Sequence, residues 1–99
     1  MKDIVHDPEA KRDMIAAARF YEARVTGLSA RFLKALDATI LKIASNPQLY
    51  AFCEKPIRSC RVNGFPYRVL FADELEFVLI VAVSHLARQT GWWRYRLEK

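Results

Sequence analysis

The strongest constraint on this chain is a change of hydrophobic period near its middle. In the first half, Ala10, Met14, Ala17, Ala18, Tyr21 and Val25 recur at helical spacing and form one apolar stripe. Asp7 is placed to cap the free amides of that helix, and Pro8 suits its first position. Thr26-Gly27 ends it, because glycine enters the left-handed conformation without a Cβ clash. A second helix carries Leu28, Phe32, Leu33, Leu36, Ile40, Ile43 and Ala44 on one side and stops at Asn46-Pro47. So short a connection predicts an antiparallel helical hairpin over about 8–46.

Beyond residue 56 the period becomes two. Ile57–Val62 and Phe65–Ala72 read as strands joined by a tight turn at Asn63-Gly64. In the second of these, Tyr67, Val69 and Phe71 share one face, and Arg68 and Leu70 the other. Phe77–Val83 is apolar on both faces, as a strand inside a sheet requires. Ile4-Val5-His6 has the composition of a short edge strand. The expected fold is α+β: a helical hairpin packed on a small antiparallel sheet, with a meander over about 57–84 and a basic, aromatic segment over 85–99.

The length of 99 residues allows one domain spanning the chain, and 53% hydrophobic residues are enough for a core. Phe77–Val83 is too short for a membrane span, and Met1–Asp7 lacks the apolar stretch of a signal peptide, so a cytoplasmic protein without a membrane partner is expected. Cys53 and Cys60 have no zinc-like or redox spacing and read as small apolar residues, with no metal or cofactor implied.

The formal charge of +5 is unevenly spread. Lys55, Arg58, Arg61 and Arg68 fall in a stretch without an acidic residue, and Arg88, Arg94 and Arg96 fall in another. The first half mixes both signs, as a solvated helix surface does. The basic half suits an anionic partner, either nucleic acid or an acidic protein segment. The plainer alternatives are that these arginines solvate the sheet or pair with Glu74 and Glu76. Trp93 reads as a lid on the core, and His85 as a hydrogen-bonded structural histidine.

Several phrases in order resemble the RelE/ParE superfamily of type II toxin–antitoxin toxins. They are Ala17-Ala18-Arg19-Phe20-Tyr21-Glu22, Gly27-Leu28-Ser29-Ala30-Arg31-Phe32-Leu33, Asn46-Pro47, Gly64-Phe65-Pro66-Tyr67-Arg68-Val69 and Val81-Ala82-Val83-Ser84-His85-Leu86-Ala87-Arg88, then Trp92-Trp93 and Arg96. The resemblance runs from Pro8 to Arg96. It implies a poison neutralised by a cognate antitoxin in a hetero-oligomer. ParE-like members are taken to block DNA gyrase by binding; RelE-like members cut mRNA on the ribosome.

Carried over residue by residue, the nuclease pattern is incomplete. Arg68 stands at the Tyr-Arg step and Arg61 at one of two paired basic positions, while Ser59 fills the other with Arg58 beside it. The arginine expected after the central strand falls at Leu86, with Arg88 two residues later. Trp92 fills the place of the C-terminal tyrosine, and its indole cannot exchange a proton with a ribose hydroxyl. Tyr95 is the one phenol near enough in sequence to stand in for it. Arginine clamps phosphate well but makes a poor general base.

The closing pattern of His85, Arg88, Trp93 and Arg96 looks more like the ParE branch, although Thr90 and Trp92 stand where that branch often has proline and tyrosine. The expectation is therefore a gyrase-binding toxin with no catalytic residue, using Arg58, Arg61, Arg68, Arg88, Trp92 and Arg96 as its target- or nucleic-acid-binding set. The alternatives are a ribosome-dependent endoribonuclease with a degenerate site, or a non-toxic antitoxin-binding module.

Overall fold

The computed structural model describes residues 1–98. Strand β1 (Asp3–His6) leads into helix α1 (Pro8–Arg24), and helix α2 (Leu28–Ser45) returns antiparallel to it. A 3-10 turn at Pro47–Leu49 precedes β2 (Phe52–Glu54), β3 (Ile57–Arg61), β4 (Tyr67–Asp73) and β5 (Phe77–His85), and a C-terminal 3-10 helix covers Arg94–Glu98. The helical hairpin and the three long strands match the expected α+β architecture.

Local chemistry sets the ends of the hairpin. Asp7 accepts the Glu9 amide proton at 2.9 Å, and Pro8 opens α1. Gly27 takes φ +87° and leaves α2 without a capping side chain of its own. Glu22 supplies the cap from α1: its carboxylate accepts the Gly27 amide at 3.0 Å, the Ser29 amide at 3.1 Å and the Ser29 hydroxyl at 2.7 Å.

The sheet order is β1-β5-β4-β3-β2. It is mixed rather than purely antiparallel, because β1 pairs parallel with Phe77–Ile80 of β5. That edge strand is the expected Ile4-Val5-His6, extended by Asp3, and it makes the first half of β5 an interior strand of the sheet. At its start, Lys2 donates to Asp73 Oδ1 and to the Glu74 carbonyl, both at 2.6 Å.

The β3–β4 hairpin departs from the expected tight turn. A two-residue loop at Asn63-Gly64 would pair Val62 with Phe65, yet the Val62 amide donates to the Tyr67 carbonyl at 2.9 Å. Pro66 cannot donate to a ladder. Phe65 instead turns into the helix layer, with ring centroids 5.2 Å from both Tyr21 and Phe32. The strand therefore begins at Tyr67 and not at Phe65.

Two cores lie on opposite faces of the sheet. The helix face buries Phe32, Leu36, Ile43, Val69, Phe71, Val78 and Ile80 against α1 and α2. The other face buries Ile57, Leu70, Ala72, Val81 and Ala82 beneath Trp93. A bulge in β5 sets this division: Leu70 pairs with Ala82 and Phe71 with Ile80, so Val81 is extra. Val81 and Ala82 both belong to the second core in consequence.

Candidate target-binding surface

Arg61 of β3 pairs directly with Arg68 of β4. Residues directly opposite across an antiparallel ladder share a face, so the two guanidinium groups emerge together on the face away from the helices. Among the described residues neither has a hydrogen-bond or ion-pair partner, and the Arg68 Nε is buried without one. Like charges set opposite each other cost stability. Among the described residues, the alternative pairing of these arginines with Glu74 or Glu76 does not form.

Ser84 of β5 lies beside Arg68 in the ladder, and its hydroxyl accepts the Trp92 indole proton at 2.9 Å. The Arg88 guanidinium lies 3.6 Å from the Trp92 ring centroid, and that of Arg96 lies 4.7 Å from it. Arg61, Arg68, Trp92 and Arg88 thus follow one another from β3 to the segment beyond β5. Four of the six expected site residues are brought to one end of the sheet.

The other two are not. Arg58 pairs with Phe71, a residue of the helix-face core, so it lies on the opposite face from Arg61. Its guanidinium donates to the Tyr50 carbonyl at 2.7 Å and stacks 4.0 Å from the Phe52 ring centroid, which makes it a brace for β2.

Arg96 is 7% exposed and holds the fold together. It meets Asp13 of α1 with two hydrogen bonds, at 2.7 and 3.0 Å, and donates to the Val81 carbonyl at 3.0 Å. Asp13 also accepts the Val83 amide proton at 3.0 Å. The pair therefore completes the edge of β5 just past the point where β1 ends. Burial alone would lower the Arg96 pKa, but hydrogen bonds to Asp13 and Tyr95 outweigh it and the net shift is upward. Its charge is spent inside the molecule.

The side chains chemically able to act as acid or base, His85 and Tyr95, stand apart from the arginine pair. His85 pairs with Tyr67 on the helix face, with ring centroids 5.1 Å apart, and its Nδ1 accepts the Ala87 amide proton at 3.0 Å. The Tyr95 hydroxyl donates to Glu9 at 2.9 Å, at the start of α1. Burial pushes both the Cys53 and Cys60 thiols up, so neither is an activated thiolate. No group of three or more His, Cys, Asp or Glu side chains that could hold a metal ion occurs among the described residues.

A second surface lies on the helical hairpin. Met14, Ile15 and Ala18 of α1 and Leu33 of α2 line an apolar groove of about 450 Å³, with His6, Lys11 and Arg19 around it. Burial is the main cause that lowers the His6 pKa, with the Lys11 charge adding to it. The groove's outward apolar residue on α1 is Ile15, half exposed and off the core stripe.

A family model described as the ParE toxin of the type II toxin-antitoxin system, parDE, matches residues 4–90. A solved structure described as the chromosomal ParDE TA system from P. aeruginosa superposes with a TM-score of 0.74 at 12% identity, covering 86% of this chain and 96% of that chain. Identity that low carries the fold alone. No curated protein matches the sequence.

Proposed function

The chain belongs to the ParE toxin family of type II toxin–antitoxin systems, and on that premise we propose that it arrests growth by binding DNA gyrase and is held inactive by a cognate antitoxin. The observation that carries the binding reading is the unpartnered Arg61–Arg68 pair, continued by Arg88 over Trp92. A protein that leaves two adjacent guanidinium groups unneutralised accepts a cost that an acidic or phosphate-bearing surface on the target would remove. General acid–base groups do not flank that pair, because His85 faces the helices and Tyr95 bonds Glu9. Binding rather than RNA cleavage is the reading this supports.

The helical hairpin supports a docking site for that antitoxin. The groove between α1 and α2 is apolar along its length and rimmed by Lys11 and Arg19. It fits an amphipathic helix with an acidic margin, ordered as it docks. The deciding experiment is gyrase supercoiling with the purified chain. Inhibition is expected, lost in Arg61→Glu/Arg68→Glu at unchanged melting temperature, and relieved by the co-expressed antitoxin. Undiminished supercoiling, together with new cuts in ribosome-bound mRNA, would replace this reading with the endoribonuclease.

A further inference from the structure

A cleft of about 270 Å³ opens between α1 and the end of β5, apart from the α1–α2 groove and sharing only Arg88 with the arginine surface. Ala16, Ala17 and Val83 are apolar in its lining, Phe20 and Tyr67 are aromatic, and Asp13, His85 and Arg88 are polar. We propose that this cleft receives one carboxylate side chain of the antitoxin, carried on an apolar stem and bound by Arg88 and His85.

The charge of the cleft comes from what each polar group is already doing. Asp13 is engaged twice by Arg96 and once by the Val83 amide, so its negative charge is matched within the fold. The Arg88 guanidinium has no carboxylate partner among the described residues and stacks on Trp92. The His85 Nδ1 accepts from Ala87, which assigns the ring proton to Nε2 and makes the open nitrogen a donor. One unneutralised cation and one neutral donor therefore meet beside apolar walls. That set selects an anion whose body is greasy.

Arg88 is also held in place before any ligand arrives. Asp13 fixes Arg96, Arg96 lies over Trp92, and Trp92, anchored on Ser84, carries Arg88. Ordering a long arginine normally costs entropy on binding, and stacking removes much of that cost beforehand. The volume sets the size of the occupant. Sites for whole small molecules run to roughly 300–1,000 Å³, so this one suits a single side chain. Phe20, half exposed on α1, would close over the stem.

This inference rests on the antitoxin reading, and the test keeps the two apart. The probe is 4-methylpentanoate, an apolar stem ending in a carboxylate, titrated into the full chain and followed by NMR at His85, Phe20 and Arg88. Its neutral amide should bind at least tenfold more weakly. Arg88→Met should weaken the acid at least tenfold, whereas Arg31→Met, which removes the same charge from the exposed side of α2, should not. Ala16→Leu, which fills the cleft without touching the cation, should also abolish binding. The antitoxin should displace the probe. Equal binding of acid and amide, or full binding to Arg88→Met, would overturn the cleft as a carboxylate site. Unchanged probe affinity in the toxin–antitoxin complex would overturn the antitoxin as its occupant. Failure of the wild-type chain and antitoxin to form any complex at micromolar concentration would instead strike the family-based partner itself.

Discussion

The two faces of the sheet are covered in different ways. On one, 17- and 18-residue helices lay a continuous apolar layer over β5, β4 and β3. On the other, a short C-terminal segment brings one buried tryptophan and a few polar ties: Trp92 to Ser84, Arg94 to Glu54, and Arg96 to Asp13 and Val81. The helix layer is held by many interchangeable contacts, whereas the C-terminal layer depends on single bonds to particular partners. Polar ties are directional and cheap to lose to water when exposed, so the second layer is the one that can open without unfolding the first. The family match ends at residue 90, just before that layer begins to cross the sheet.

The sharpest way to break the comparison is to delete one large side chain from each layer. Phe32 is fully buried among Tyr21, Phe65 and Tyr67, and Phe32→Ala should cost about 3–5 kcal/mol with a single, global transition in urea. Trp93→Ala should cost about 3 kcal/mol, with faster amide exchange confined to residues 91–98 and to β3 and β4 on the open face. Global loosening by Trp93→Ala, equal to that of Phe32→Ala, would show that the two layers fold as one unit.

The Asp13–Arg96 pair joins the layers and comes next. Asp13→Ala takes both hydrogen bonds to a carboxylate from the buried Arg96 guanidinium, leaving the more distant Glu9 at 3.9 Å, and strips the Val83 amide of its acceptor. Removing one partner of a fully buried pair typically costs about 3–5 kcal/mol. The Asp13 side chain keeps 13% exposure, so some water reaches it and about 2–3 kcal/mol is expected. Thermal denaturation gives the size, and exchange at Val83 gives the location. Asp13→Leu combined with Arg96→Met should recover part of the loss, because the unpaired charge goes as well. If the double variant is no more stable than Asp13→Ala, the penalty is not one of stranded charge.

The helix face was legible in the sequence because periodicity reports burial directly. The stripe of Phe32, Leu36, Ile40 and Ile43 is the core, and the alternation of Tyr67, Val69 and Phe71 against Arg68 and Leu70 fixed the sheet's two sides. The open face was less legible, for physical reasons that differ by residue. Arg96 looked like surface charge because its partner is 83 positions away, and no local pattern announces a distant carboxylate. Arg58 was grouped with Arg61 by charge, although an odd spacing on a strand puts the two on opposite faces. Asn63-Gly64 signalled a tight turn that Pro66 and the inward Phe65 override. Strand β2, three residues long with a register shift, has too few positions to show alternation.

A smaller effect probes how the C-terminal layer enters its path. Gly91 has φ +83°, and a Cβ there would run into the Arg94 guanidinium. The guanidinium is the far end of a flexible chain and can move, at the expense of its bonds to Glu54 at 2.7 and 2.9 Å. Gly91→Ala should therefore cost about 1–2 kcal/mol from the left-handed backbone, with little added by the loss of an exposed ion pair. The check is whether Arg94→Ala, measured alone, changes stability by less than Gly91→Ala. If the two are equal, the ion pair and not the backbone sets the path.

The smallest expected effect tests an exposed polar tie of the helix layer, the Glu22 cap on α2. Glu22 is held below the usual carboxylate range, first by the Gly27 amide and then by the hydroxyl and amide of Ser29. A carboxyl group whose folded-state pKa is lowered gives stability that is present above its unfolded value, near 4.3. That stability is lost as pH falls through the lowered, folded value. Glu22→Gln keeps the shape and removes the charge, so the gap in melting temperature between wild type and variant should be constant from about pH 6 to pH 8 and close below about pH 4. His6 also loses stability on acidification, because its lowered pKa means that the folded chain resists its protonation. It does so equally in both proteins and cancels from the difference. A gap that closes already between pH 6 and pH 7, well above the carboxylate range, would leave the α2 cap without a charge contribution. A gap that never closes would mean that Glu22 acts through hydrogen-bond geometry alone, and the helix layer would then contain no pH-sensitive tie to set against those of the C-terminal layer.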